Sequence, residues 1–441
     1  MQSIDLLISA RWVIPVEPEG VALAHHSVAV DKGRVVGVLP SEQAEATYRA
    51  DRHFHLDRHA LLPGLINLHT HASMSLMRGF ADDLPLMTWL KDHVWPAEAK
   101  HISPEFVYDG TLLACAEMLL GGVTCFNEMY FYPEAAARAA IDAGMRAAIG
   151  IIALEFPTRY AADADDYIAK GLAVRDALRS EPLLSFCMAP HGPYTVSDRT
   201  FSRVATMAEE LDLPIHVHLH ETLDEIAQSL AQHKARPLAR LHALGIVSPR
   251  LIAVHAVHVS EEELDLLAQF GASVAHCPSS NLKLASGFAP VAAMLRRGIN
   301  VGLGTDGAAS NNRLDLLQET RTAALLAKAV GSDAEAMPAH RALAAATLHA
   351  ARALGLGDAI GSIVPGKLAD LCALSFDSPL LAPCYDPVSH VVYAAGREQV
   401  SHVWVGGEIR VEAGRLSRLD QRDLDNRALL WQNKLVVETK A

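Results

Sequence analysis

Two histidines one residue apart, His69 and His71, close the apolar stretch "GLINLHTH" at residues 64–71. On a β-strand, side chains two positions apart share a face, so both imidazoles point one way and Thr70 the other. Such a pair is either half of a transition-metal site or an accidental neighbourhood. Residues of the same chemistry recur further on. His191 follows "LLSFCMAP"; His216, His218, His220 and Glu221 lie in "LPIHVHLHE"; His255 and His258 lie in "LIAVHAVHV"; Asp306 lies in "NVGLGTDG". Each stands in or at the end of an apolar run otherwise nearly free of charge. A carboxylate in such a place is costly to bury unless it meets a cation or metal. Two histidines from the first run, one from the fifth and Asp306 from the eighth make a nitrogen-rich set with one carboxylate. That set suits Zn²⁺, with Fe²⁺ as the lesser option, and leaves a position for water. The chain carries 22 histidines, so any of them alone is as readily a packing residue. Only the set argues for a metal, and spacing does not say which of His216, His218 and His220 joins it.

The elements that must position these side chains fall into three regions. Residues 1–57 alternate apolar and polar, as in "SVAVDKGRVVGVL", with Asp31-Lys32-Gly33 as a hairpin turn. Residues 366–441 return to that style in "HVWVGGEIRVEAGRL", where Gly406-Gly407 is the turn. Two β-rich flanks predict one small composite β-sandwich domain built from both chain ends. Between them, residues 58–365 alternate eight short apolar runs with helical patterns such as "PEFVYDGTLLACAEMLLGG" and "DRTFSRVATMAEELD". That count predicts an α/β chain with a (β/α)₈ TIM-type barrel as its catalytic block. A doubly wound open sheet is the competitor, weakened because no G-x-G-x-x-G follows the first run. In a barrel, functional groups gather at the C-terminal strand ends, where these polar residues lie.

Composition narrows the class further. A chain of 441 residues, 50% hydrophobic and 20% charged, is that of a globular enzyme-sized protein. No apolar run approaches the length of about 18 residues that spans a bilayer, so no membrane partner is expected. The start "MQSIDLLISARWVIP" lacks an export signal, and six scattered cysteines without a C-x-x-C pair fit buried thiols in a reducing cytoplasm. A net charge of -13 disfavours nucleic acid as a partner. Whether the chain forms a homo-oligomer is left open by the sequence.

The motifs "PGLINLHTHASMSLMRGFADDLPLMTWL", "VWPAEAK", "APHGPYT", "HLHET", "GTDGAASNN" and "GSIVPGKLADL", spread over residues 63–371, resemble the amidohydrolase superfamily. Within it, they are most similar to the branch of deaminases acting on adenine nucleosides with a 5'-thioether. The resemblance implies that His218 and Glu221 are the functional pair of the fifth run, from the family's pattern of His, two residues, then Glu. His216 and His220 are then packing or supporting residues. It implies a single metal ion per subunit, held by His69, His71, His218 and Asp306. The two-metal branch needs a lysine on the fourth strand, and "LLSFCMAPH" has none.

The implied activity is hydrolytic removal of the adenine 6-amino group from a small purine nucleoside, 5'-methylthioadenosine above all, with S-adenosylhomocysteine and adenosine as further substrates. In that scheme Asp306 takes a proton from water, Glu221 delivers one to purine N1, and His255 hydrogen-bonds the attacking oxygen. Glu98 matches the position that grips the ribose hydroxyls, and His191 the one that contacts the purine. Each has a plainer reading, a helix cap for Glu98 and a satisfied loop residue for His191. Arg159, in the acid-rich "EFPTRYAADADD", would bind the amino-acid carboxylate of S-adenosylhomocysteine, whereas Arg146 lies at the wrong end of its strand. That thin supply of arginine favours methylthioadenosine, whose tail Met74, Met77 and Met87 could line or merely pack beneath. No role is assigned to His276. The rivals are a guanine, other purine, cytosine or chlorotriazine hydrolase of the same superfamily, and a barrel reduced to an assembly scaffold.

Overall fold

The computed structural model describes residues 1–436. Its strands fall into two eight-stranded sheets. The outer sheet takes β1 (Gln2–Val13), β2 (Leu23–Asp31), β3 (Arg34–Pro40) and β4 (Tyr48–Pro63) from the start of the chain. The inner sheet contains β5 (Leu65–Thr70), β6 (Val123–Glu128), β7 (Arg146–Ala153), β8 (Leu184–Pro190), β9 (Ile215–Leu219), β10 (Leu251–His255), β11 (Ser273–His276) and β12 (Asn300–Leu303). The chain then returns to the outer sheet with β13 (Leu371–Ser375), β14 (Val400–Val405), β15 (Glu408–Glu412) and β16 (Arg415–Leu416).

The inner strands lie in chain order, each parallel to the next, as expected for a (β/α)₈ barrel. At the closing edge the Asp306 N–H donates to the His69 carbonyl (3.0 Å), joining the end of β12 to β5. Close approach there needs glycine. A Cβ on Gly302 would sit 2.5 Å from Leu68 Cδ2, and one on Gly304 would sit 2.8 Å from His69 Cβ. The helices between strands start where side-chain oxygens meet free backbone N–H groups: Ser103, Asp163, Ser197, Thr222, Ser260 and Asp315 each accept from one in the first turn. Ser260 and Glu263 form a full capping box. Among the described residues, no helix is long and apolar enough to cross a membrane.

Both chain ends meet in the outer sheet, whose order is β16-β15-β14-β13-β4-β1-β2-β3. The junction is the antiparallel pairing of β4 with β13, for instance Leu61 opposite Ala373. The expected turns are present: Lys32 and Gly33, and Gly406 and Gly407, all have positive φ and join strands with two-residue loops. One face of this sheet buries Leu6, Ile8, Val28, Leu56 and Trp404. A buried ion pair pins it to the barrel, with Arg146 Nε donating to Asp370 Oδ2 (2.7 Å). Arg146 opens β7, the end remote from the histidines, so the sequence-based exclusion of it as a substrate ligand agrees with its position.

Candidate metal and substrate site

The C-terminal strand ends bring the separate histidines together. Single ring nitrogens of His69, His71 and His218 lie within 4.8 Å of one another, as do those of His69 and His255 with an Asp306 oxygen. Asp306 Oδ1 stands 3.3 Å from His69 Nε2 and 3.4 Å from His71 Nε2. The hydrogen bonds around the rings fix their tautomers, because a carbonyl can only accept. The His71 Nδ1–H donates to the Met129 carbonyl (2.6 Å) and the His218 Nδ1–H to the His191 carbonyl (2.6 Å). Both therefore keep a lone pair on Nε2. His69 Nδ1 lies 2.9 Å from His216 Nε2, while the buried His69 Nε2 has no hydrogen-bond partner in the protein. Inward lone pairs backed by oxygen or nitrogen partners on the far side of each ring are how imidazoles are presented to a metal.

Electrostatics favour the same arrangement. Burial pushes His69 down to about 4 and His218 well below its ordinary value, so both rings are neutral and able to ligate at pH 7. Burial alone would raise the Asp306 carboxyl, but His69, His71 and His255 hold it well below the usual carboxylate range. Ser280 Oγ–H and the Gly307 N–H donate to the two Asp306 oxygens at 2.7 Å each. Three imidazoles and one fixed carboxylate fit a divalent ion of the zinc type. His255 (φ 69°) and Asp306 (φ 63°) both hold left-handed backbone, a strain that clusters at functional sites.

Above this set opens a cavity of about 610 Å³. His71, His218, Glu221, His255 and Asp306 floor it, and Glu98, Arg159 and His191 also line it. Glu221 is buried, which raises its carboxyl pKa against the opposing pull of His255, whose Nε2 lies 3.8 Å away. The His255 Nδ1 is tied to Asn281 Oδ1 (2.8 Å). Glu98 accepts from the Tyr130 hydroxyl (2.7 Å), and burial among apolar neighbours lifts it to about 7. His191 Nδ1 meets Thr195 Oγ1 (3.0 Å), and burial pushes that ring down to about 3. The remaining wall is apolar, with Trp89, Leu90, Val94, Trp95 and Phe156 among its members. Trp89 to Val94 form a π-helical turn, a distortion common at functional sites.

This chain is an amidohydrolase. The amidohydrolase family model matches residues 60–410. The 5-methylthioadenosine/S-adenosylhomocysteine deaminases of Saccharophagus degradans and Teredinibacter turnerae are 47% and 46% identical to it, over 98% of this chain and 97% and 98% of theirs. A crystal structure of an adenosine deaminase from Xanthomonas campestris with bound zinc is 49% identical, with a TM-score of 0.98 and 99% of each chain covered.

Other singled-out residues of this amidohydrolase lie elsewhere. His216 sits beneath His69, and His220 is buried against Glu263 (3.2 Å) and the Leu238 N–H (3.1 Å). His258 bonds the Ser286 carbonyl, and His276 ends β11 with neither ring nitrogen partnered. Arg159 reaches the cavity rim, where Nη1 donates to the Lys100 carbonyl (2.6 Å). Met74 lines the cavity, whereas Met77 is packed in the core and Met87 is not part of the wall.

Several residues escaped the reading of the sequence. Glu128 ends β6 and accepts from the Thr70 hydroxyl (2.6 Å) and the Ala72 N–H (2.9 Å), bracketing His71. Asn281, Ser280, Tyr130 and the aromatic wall were likewise passed over. Glu128 carried a usable signal, an acid at the end of the apolar run "GVTCF". Asn281, Ser280 and Tyr130 show none, since each acts through a neighbour that only folding supplies, whereas Trp89 and Trp95 stand within the motifs ending "LPLMTWL" and "VWPAEAK".

Proposed function

We propose that this chain catalyses zinc-dependent hydrolytic deamination of the adenine ring in 5'-methylthioadenosine, with His69, His71, His218 and Asp306 as the metal ligands. The observation that carries the reading is the sharing of one cavity by a hydrolytic centre and Glu98, with an aromatic and aliphatic wall between them. A carboxylate accepts hydrogen bonds from both ribose hydroxyls. The apolar wall suits a thioether tail. The relatives that carry the methylthioadenosine deaminase name support the same substrate class.

A divalent ion in that donor set supplies a water acidified to near neutral pH. Asp306, kept ionised by its imidazole neighbours, takes the proton from the attacking water and aims the oxygen at purine C6. Attack at C6 moves an electron pair onto N1, and Glu221 donates the proton that N1 needs. Its raised pKa leaves it able to carry that proton in the buried site. His255, oriented by Asn281, hydrogen-bonds the developing oxygen. Proton transfer to the exocyclic nitrogen breaks the C6–N bond, releasing ammonia and an inosine-type product. His191, oriented by Thr195, contacts the purine.

Arg159 is the cation at the rim for an amino-acid carboxylate, and part of its guanidinium is engaged by Lys100. We therefore rank S-adenosylhomocysteine below methylthioadenosine. The six cysteines are all free thiols and five are buried, which supports a reducing, cytoplasmic setting. The test follows loss of adenine absorbance with methylthioadenosine, S-adenosylhomocysteine, adenosine and adenine side by side. Methylthioadenosine is expected fastest and free adenine slowest, and Glu98→Gln should damage nucleoside turnover far more than base turnover. Equal damage to both would remove Glu98 from ribose recognition.

A further inference from the structure

We propose that the outer sheet carries a second, non-catalytic site for a divalent transition-metal ion, built from His53 and His55 of β4 and Glu45 of the helix Ser41–Thr47. His53 and His55 are two apart on one strand, so their rings share a face, and the ring centroids lie 3.8 Å apart. Glu45 comes from the turn of helix just before that strand, and one ligand atom from each of the three lies within 4.8 Å of the others. Metal–nitrogen and metal–oxygen bonds are about 2.0–2.2 Å, so rotation of the exposed His55 and Glu45 side chains closes the set on one ion.

The inner ring is held as a ligand is held. His53 Nε2 lies 2.8 Å from Ser9 Oγ, which lies 2.7 Å from Ser27 Oγ, which donates to Ser41 Oγ (3.0 Å). This chain of hydroxyls runs from the ring to the first residue of the helix that carries Glu45. With Nε2 engaged, Nδ1 is the nitrogen left for an ion, the arrangement in which metal-bound imidazoles give their other N–H to an oxygen. Two imidazoles and one carboxylate select Zn²⁺, Ni²⁺, Co²⁺ or Cu²⁺ over Mg²⁺ and Ca²⁺. None of the three residues belongs to the set at the barrel mouth. Binding ties the helix to β4, so the ion stabilises the outer sheet by mass action.

The experiment is zinc titration of the full chain after its tightly held metal has been measured, read as bound equivalents by dialysis and metal analysis and as melting temperature. The wild-type chain is expected to take up one further equivalent and to melt higher in excess zinc. His55→Ala and Glu45→Ala, both at exposed positions, should lose that equivalent and the zinc-dependent rise. Ser9→Ala should weaken it by about 10-fold or more, the usual cost of losing the partner behind a ligand. A wild-type chain that saturates without the further equivalent, or one that persists undiminished in His53→Ala/His55→Ala, overturns the proposal.

Discussion

Glu221 is where one atom of one side chain decides the chemistry. A carboxyl buried 3.8 Å from His255 can hold and release a proton, whereas the amide of Glu221→Gln keeps the shape and loses the proton. Proton transfer by a positioned group contributes about 10²–10⁴-fold. We expect Glu221→Gln to lose at least that much of kcat while metal content stays at the wild-type level. A variant retaining a tenth of the activity would exclude Glu221 as the proton carrier. Glu319 offers a pH test away from the reacting atoms. It is fully buried, receives the Ser279 and Asn311 N–H groups (3.0 and 2.9 Å), and burial lifts its carboxyl to about 7. An acid whose folded pKa lies above its unfolded value keeps its proton when folded and loses it when unfolded. Stability therefore falls as pH rises from about 4.5 to about 7, by roughly 3 kcal/mol in all. Glu319→Gln removes that dependence, so its melting temperature should decline less than the wild type's between pH 5 and 7. Parallel declines would refute the assignment.

Strand ends, more than single residues, hold the histidines in place. Glu128 at the end of β6 grips both neighbours of His71, and the Met129 carbonyl next to it orients the ring itself. The end of β12 does the same for β5: Gly304 passes so close to His69 that a methyl group there would meet its Cβ at 2.8 Å, its N at 2.9 Å and Cys277 Sγ at 3.1 Å. Both neighbours, His69 and Cys277, are buried, so the strain has few outlets. Overpacking of this kind costs typically about 1–3 kcal/mol. We expect Gly304→Ala to fold with a lowered melting temperature and to bind zinc at least 10-fold more weakly, because the displaced residue is His69, one of the four ligands proposed above. Wild-type zinc affinity in a folded Gly304→Ala chain would show that β5 and β12 are not coupled at that point.

At the scale of the whole molecule, a buried ion pair links the barrel to the outer sheet. Arg146 donates to both Asp370 oxygens and to the Pro182 carbonyl, while Asp370 also accepts the Gly406 N–H. Removing the acid strands the guanidinium in an interior site, which costs about 3–5 kcal/mol. Asp370→Ala should therefore melt well below the wild type, and restoring an apolar pair with Arg146→Leu/Asp370→Leu should recover much of the loss. If the single variant melts like the wild type, the pair does not hold the two sheets together.

The barrel was legible because eight apolar runs alternate with amphipathic helices, and a period is a local property that needs no partner to be read. The composite sheet was legible for the same reason, through alternation and two glycine turns. His69, His71, His191, His218, Glu221, His255 and Asp306 stood out because a polar group ending an apolar run needs a counterpart. Glu98 and Arg159 came only from the likeness of motifs. What the order of residues left open was which of three alternating histidines meets the others: His220 lies past the end of β9 in left-handed backbone (φ 56°) and turns to Glu263, which leaves His216 and His218 at two depths of one face. Depth is set by how β9 packs among its neighbours, which puts His216 beneath His69 and carries His218 to the floor of the cavity. Asn281, Ser280 and the serines behind His53 were hidden for a related reason: each hydrogen-bonds a residue distant in sequence, and only closure of the chain brings those partners within reach.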